Sequence, residues 1–446
     1  MRTVVAFERL GTDTVVKLSE APRDIPGIEV DNAVIDLAAP PGGTARQRGA
    51  ELLARICAHP PVRAGLDLAL GTPPGSPPAP LYFHVLAAAA DALPWEELYA
   101  DGHGFCALDP RWPVARIAAR RRAVTDRVFT GELNVVAVLS AAGRSGVSQL
   151  ETLLAATGSA DGAAVGSRLR VISGDERVLA ALAAADRPDV SAEQIASGAD
   201  GLIRQIAAGD PDVLHLLGHG GEPLPGVRTL AFATSADFDA DDEAGSVRLQ
   251  LAHLTQAVLS ADPWLVVLSA CESAGAGSAG VLAHDLASGG VPAVIGMRRL
   301  IDIDAADRCC AALYPQLLTA VRRAVDPAAP AGIRLIDWAA ALTAPRAALC
   351  GPDPTAVDTW SDPVLYVQHE PFRVLVAPRE GAAESYQELR GELDWLEEFM
   401  ETAGAHHDRL RADVVARIGQ LREQLARTAP GAVAAIGGLL SSGRRR

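Results

Sequence analysis

Between residues 132 and 367 the chain repeats one rhythm, a short unbroken apolar run followed by a longer stretch whose apolar positions recur every three or four residues. The runs fall at 133–139, 169–173, 213–217, 264–269, 291–297 and 364–367. Apolar runs of this length without polar alternation are buried on both faces, as the strands of a parallel sheet are. The intervening stretches predict helices near 146–157, 176–185, 191–208, 249–260, 279–288, 305–324 and 331–343, with an excursion at 221–248. The expected fold class is α/β, a mostly parallel sheet flanked by helices, with an N-terminal extension and C-terminal helices. Right-handed crossovers bring the carboxyl ends of such strands to one edge, where open α/β sheets build their sites.

The flanks break the rhythm. "TVVAF" (3–7) and "TVVKL" (14–18) surround a Gly-Thr-Asp turn and read as a hairpin. A helix is expected over 45–59, then a proline-rich linker, "LGTPPGSPPAP", at 70–80. In the tail, Leu389, Leu393, Leu396 and Met400 form one helical stripe, and Leu410, Val414, Ile418, Leu421 and Leu425 a second. Two amphipathic helices follow, whose stripe docks on the sheet domain, meets a partner or flanks a disordered end. The expected division is 1–130, an N-terminal α+β region packed on the core; 131–372, the core itself; and 373–446, the helical tail with its basic end.

Composition narrows the function. With 446 residues, almost half of them apolar, the chain can bury a sizeable core. A formal charge of −15 argues against direct nucleic-acid binding, and the triplets Arg120–Arg122 and Arg444–Arg446 are too small to reverse it. The six cysteines form no C-x-x-C pair or dense framework, which fits a reduced compartment. The first residues meet Glu8 too early for a secretory signal, and "GAVAAIGGLL" (431–440) is too short to span a bilayer. A cytoplasmic protein with no membrane span and no metal or other cofactor is expected.

Two strand ends carry chemistry. "VLHLLGHG" ends on His219 between glycines, which leave the backbone free for a sharp turn and the imidazole uncrowded. "WLVVLSAC" ends on Cys271. Neighbouring strands lie about 4.8 Å apart, so side chains at matching heights converge toward hydrogen-bond reach. A thiol beside an imidazole gains thiolate character or yields its proton during attack. In that arrangement Cys271 is the nucleophile and His219 the base. The backbone N–H groups of Gly220 and Cys271 face the oxyanion. No third orienting side chain is evident, and a backbone carbonyl can hold the imidazole tautomer instead. The spacing of 52 positions matches a caspase-type order, with the histidine about 50 residues upstream.

On these residues, "VLHLLGHGG", "WLVVLSACESAG", "GGVPAVIGMR", "WSDPVLYV" and the upstream "LPWEELYADGHGFCALDPRWPVAR", residues 80 to 370 resemble the CHAT-domain family, caspase-like proteins related to separases. The resemblance implies a caspase–hemoglobinase fold and, in active members, cysteine endopeptidase chemistry on a protein substrate. It gives His219 the base role and Cys271 the nucleophile role. It also implies an activating or sensor protein and a place in bacterial defence or signalling. One departure is "GMRRLIDID", where Arg298 and Arg299 replace the Leu-Trp or Gln-Trp pair of many members. A second is the lack of repeated helical sensor modules. Both leave open a catalytically inactive interaction or scaffold module of the same fold.

Several neighbours have a plainer reading beside the functional one. Asp302 and Asp304 either bind a basic side chain before the cut bond or occupy a helix N-terminus, where acids are favoured. Glu272 faces the substrate pocket or water. His215 reads as a satisfied core histidine, Cys309 and Cys310 as helix packing. His103 with Cys106 is a rival pair that lacks a second parallel strand. "DFDADDEAG" (237–245) begins like a calcium loop but has Asp242 where glycine is required and Arg248 where glutamate is.

Overall fold

The computed structural model describes residues 2–40, 43–119, 126–158, 165–224, 227–240, 245–271, 278–299, 301–326, 332–376, 389–396, 414–415 and 417–422. The N-terminal part gives strands β1 (Thr3–Leu10), β2 (Asp13–Glu20) and β3 (Asn32–Val34), then helices α1 (Ala45–Cys57) and α2 (Pro60–Leu70). Next come β4 (Leu81–Val85), α3 (Ala88–Asp91), the short pair β5 (Tyr99–Ala100) and β6 (Gly104–Phe105), and β7 (Val114–Ile117).

The regular part begins with β8 (Arg127–Phe129) and β9 (Glu132–Leu139), followed by α4 (Val147–Gly158) and β10 (Gly166–Ser173). It continues through α5 (Glu176–Ala185), β11 (Val190–Gln194), α6 (Ala199–Ala207) and β12 (Val213–Leu224). The excursion holds β13 (Val227–Phe232), α7 (Ser235–Asp239) and β14 (Val247–Gln250), before α8 (Leu251–Ala261) and β15 (Leu265–Cys271). Last come α9 (Ser278–Ser288), β16 (Ala293–Met297), α10 (Ile303–Ala324), β17 (Gly332–Ile336), α11 (Thr343–Cys350), β18 (Pro363–Val367) and β19 (Phe372–Val376).

One sheet organises the molecule, in the order β11-β10-β9-β12-β15-β16-β18-β7-β4-β1-β2-β3, with β13 on β12 and β14 on β13. From β11 to β16 every neighbouring pair is parallel. β18 then runs antiparallel to β16, and β7, β4 and β1 follow parallel to β18. The sheet is therefore mainly parallel, in two blocks of opposite direction. Strands within Thr3–Ile117 supply its far side, so the one sheet takes strands from both sides of residue 130.

Alternate residues of the central strands feed two cores. Leu214, Leu216, Val266 and Leu268 pack with α6, α8 and α9 on one face. Val213, Leu217, Leu265 and Val267 pack with α4, α5 and much of α10 on the other. This two-sided burial is why the strands read as unbroken apolar runs. No described helix is long and apolar enough to cross a membrane.

Three expectations change. The helix expected over 191–208 begins with β11, which lies at the sheet edge with no fully buried residue and pairs with β10; only Ala199–Ala207 is helical. The helix expected over 331–343 is β17, a 3-10 turn at Ala339–Leu342 and then α11. β17 joins β19 and β8 in a separate three-stranded sheet, so its partners come from distant sequence. Nor does the chain turn sharply at His219. β12 runs on to Leu224 and pairs antiparallel with β13. A Cβ at Gly218 would lie 2.7 Å from the Ala231 carbonyl oxygen and 3.0 Å from the Phe232 ring. The glycine serves this close strand crossing.

Candidate active site

The ends of β9, β12, β15 and β16 share one edge of the sheet, and β18, being antiparallel, begins there. His219 and Cys271 are direct register partners across the parallel pair β12 and β15. They stand at one level on adjacent strands, and the chain continues from Cys271 into residues 272–277, which with Glu272 lie outside the described ones.

The half-buried His219 ring is held from the next strand. Its Nε2 lies 2.7 Å from the carbonyl oxygen of Ala142, in the loop that follows β9. A carbonyl oxygen only accepts, so Nε2 carries the proton and donates it. The neutral ring then presents Nδ1 as its acceptor. The loop is fixed at both ends. Ser140 N–H donates to the Leu217 carbonyl at 3.1 Å. Gly143 takes a positive φ of 68°. A Cβ at Gly146 would stand 3.1 Å from Leu139 and 3.5 Å from Leu217, so the chain passes close over β9 and β12.

Asp302 and Asp304 lie beyond β16 at the same edge. Asp302 caps α10, its carboxylate accepting from Ala305 N–H at 2.7 Å, and both acids are exposed. Arg298 and Arg299, the departure from the family pattern, are engaged in ion pairs. Arg298 donates to Glu97 at 3.0 Å and to the Ser361 hydroxyl at 2.8 Å. Arg299 donates to Asp362 at 2.6 Å and to Asp358 at 3.0 Å, and Arg48 joins Glu97 to Asp358. Burial raises the Asp362 carboxyl against the pull of Arg299, whereas the hydrogen bond from Arg299 lowers that of the more open Asp358. This clasp ties the segment after β16 to the one before β18.

His215 is fully buried, bonded through both ring nitrogens to Gln149 and Tyr314, and burial lowers its pKa to about 3. The rival pair is not brought together as a reactive couple: His103 stands edge-on to Trp112, while Cys106 is buried and its thiol pushed up to about 12. Burial likewise raises Cys57 to about 11 and Cys309 to about 12. In the acidic run, Asp237 completes a capping box with Thr234 and accepts from Ser246; residues 241–244 lie outside the described ones. Among the described residues no group of three or more His, Cys, Asp or Glu side chains could hold a metal ion.

Ala142 was not among the expected site residues. A backbone carbonyl has no signature in residue type, and only the Gly-rich "SAAGRSG" after the first regular strand marks the loop. Arg48, Glu97 and Asp358 of the clasp were likewise unflagged, since no spacing in the sequence connects them to Arg298 and Arg299.

The family model described as CHAT domain matches residues 47–344. Among solved structures, the chain is similar to one described as the Saccharomyces cerevisiae separase–securin complex, at 13% identity and a TM-score of 0.34. That match covers 73% of this chain and 17% of the other. No curated protein sequence matches the chain.

Proposed function

The chain belongs to the CHAT domain family, and from that premise we propose that it is a cysteine endopeptidase with a Cys271–His219 dyad. One observation carries the reading: the two residues are register partners at the end of the parallel ladder between β12 and β15. The bond from Nε2 to Ala142 adds to it, because it leaves Nδ1 as the base.

In this mechanism the Cys271 thiol gives its proton to His219 Nδ1 as sulfur bonds to the scissile carbonyl carbon. The N–H groups of Gly220 and Cys271 receive the oxyanion. Collapse breaks the C–N bond, and His219 returns the proton to the leaving amine. Water then cleaves the thioester with His219 again as base. Asp302, Asp304 and Glu272 are proposed to favour a basic side chain before the cut bond. The clasp leaves Arg298 and Arg299 paired with acids, which offsets two cations that would oppose such a substrate. Family resemblance further supports a cytoplasmic enzyme of bacterial defence or signalling, licensed by an activating or sensor protein.

The test is cleavage of a peptide library by the full chain, with and without candidate activators. Cys271→Ala is expected to abolish cleavage, and His219→Ala to slow it by about 10²–10⁴-fold. Cleavage by Cys271→Ala at the parental rate sinks the assignment. Failure of an electrophilic peptide to label Cys271 in the activated chain favours the scaffold module instead.

A further inference from the structure

Beneath the proposed dyad runs a continuous chain of polar side chains. His215 lies four residues before His219 on β12, with the same strand parity. The Tyr314 hydroxyl donates to its Nδ1 at 2.7 Å, and its Nε2 donates to Gln149 Oε1 at 2.8 Å. Gln149 in turn donates from its amide nitrogen to Asp307 Oδ1 at 2.9 Å. The direction of the chain is fixed by its end. A carboxylate only accepts, so the Gln149 nitrogen faces Asp307 and its oxygen faces His215. The ring proton is thereby on Nε2, and Nδ1 accepts the hydrogen bond from the Tyr314 hydroxyl.

The chain joins three elements that frame the site. β12 carries His219. Gln149 sits in the first turn of α4, directly after the loop whose Ala142 carbonyl holds the His219 ring. Tyr314 and Asp307 belong to α10, which follows the segment beyond β16. Apolar side chains of similar volume would pack this core about as stably. What directional bonds add is a single register between the elements, since each donor and acceptor has one good geometry.

We propose that His215 is a positioning residue for His219: through Gln149 it fixes the start of α4, and with it the Ala142 carbonyl, against β12, so that the His219 proton stays on Nε2 and Nδ1 stays free. This rests on the dyad reading above. It gives a buried histidine of the same strand a part in the chemistry without contact to substrate.

The experiment uses the full chain with Gln149→Leu, Tyr314→Phe and, as a control, His219→Ala. One readout is the His219 tautomer, from nitrogen NMR of histidine-labelled protein. The other is the pH profile of Cys271 alkylation by iodoacetamide, followed by peptide mass spectrometry. In the parent, the Nε2–H form is expected. In Gln149→Leu, a tautomer mixture is expected, with alkylation near neutral pH slowed about tenfold and its midpoint moved toward that of a free thiol. A folded Gln149→Leu protein with lowered thermal stability but parental tautomer and pH profile overturns the positioning role. Should that variant not fold, Tyr314→Phe, which deletes one oxygen atom, decides by the same comparison. His219→Ala separates the two levels. If it leaves the alkylation profile unchanged, the dyad itself fails; if it shifts the profile and the network variants do not, only the positioning fails.

Discussion

Asp212, just before β12, links three strands: its carboxylate accepts from Asn134 N–H at 2.8 Å and its carbonyl from Trp264 N–H at 2.8 Å. Burial, with Asp210 adding to it, pushes its pKa up to about 7. The folded value lies above the unfolded one, so this contribution is complete below about pH 4 and lost as pH rises through 7. Asp212→Asn keeps an acceptor without the charge. It is expected to be more stable than the parent at pH 8, by on the order of 1–3 kcal/mol, and to match it only below about pH 4. His84 and His215 act oppositely, because burial lowers them to about 4 and about 3. Their neutral forms support the fold above about pH 6.5, and that support is lost as pH falls from there. Gly218→Ala is expected to cost roughly 1–3 kcal/mol in urea unfolding, since the added Cβ would lie 2.7 Å from a backbone oxygen, that of Ala231. These residues also show what the sequence makes legible. His219 and Cys271 stand out because a reactive side chain ends an apolar run. Gly218 was visible but its purpose was not, as the strand that crosses it is set by pairing with later residues.

Among elements, legibility followed burial. β9, β12, β15 and β16 were readable because both faces are covered. β11 was not, because at the sheet edge none of its five residues, "VSAEQ", is fully buried, and its less exposed positions, Val190 and Glu193, lie three apart as on a helix. β17 was lost for a related reason: it owes its state to β19, which follows it by some 40 residues. The clasp between the segments flanking β16 and β18 is a property of elements too, and its strength is testable. Asp362 is 1% exposed and relies on Arg299. Arg299→Ala leaves that carboxylate buried without its main partner, at an expected cost of roughly 1–3 kcal/mol after allowing for the open side of the guanidinium. Adding Asp362→Asn is expected to recover most of it in chemical denaturation. A double variant as unstable as the sum of its parts would show that the two side chains do not act as a pair.

At the scale of the molecule, the small sheet explains where the tail goes. Its order is β17-β19-β8. One face, through Phe129, Val374 and Val376, packs into the second core of the main sheet. The other, through Val128, Leu375 and Ile333, meets Leu389, Leu393, Leu396, Val414, Ile418 and Leu421 of the tail. The helical residues at 389–396 and 417–422 thus present the stripe read from sequence to a surface whose strands come from both sides of the core; Met400, Leu410 and Leu425 lie outside the described residues. Arg417 pairs with Glu392 at 2.7 Å and ties the two tail segments together. Docking is the outcome that sequence could not choose, because a helical stripe specifies that something covers it and not what. Each buried leucine contributes about 1.5–3 kcal/mol to this contact. Leu393→Asp with Leu421→Asp is therefore expected to release the tail and expose Val128 and Leu375, seen as dye binding to apolar surface and as new proteolytic cuts after residue 376. Because the small sheet keeps its inner face, the main sheet is expected to stay folded and His219 to keep its tautomer. If the double variant instead unfolds the chain cooperatively, the tail is part of the core and not a layer added to it.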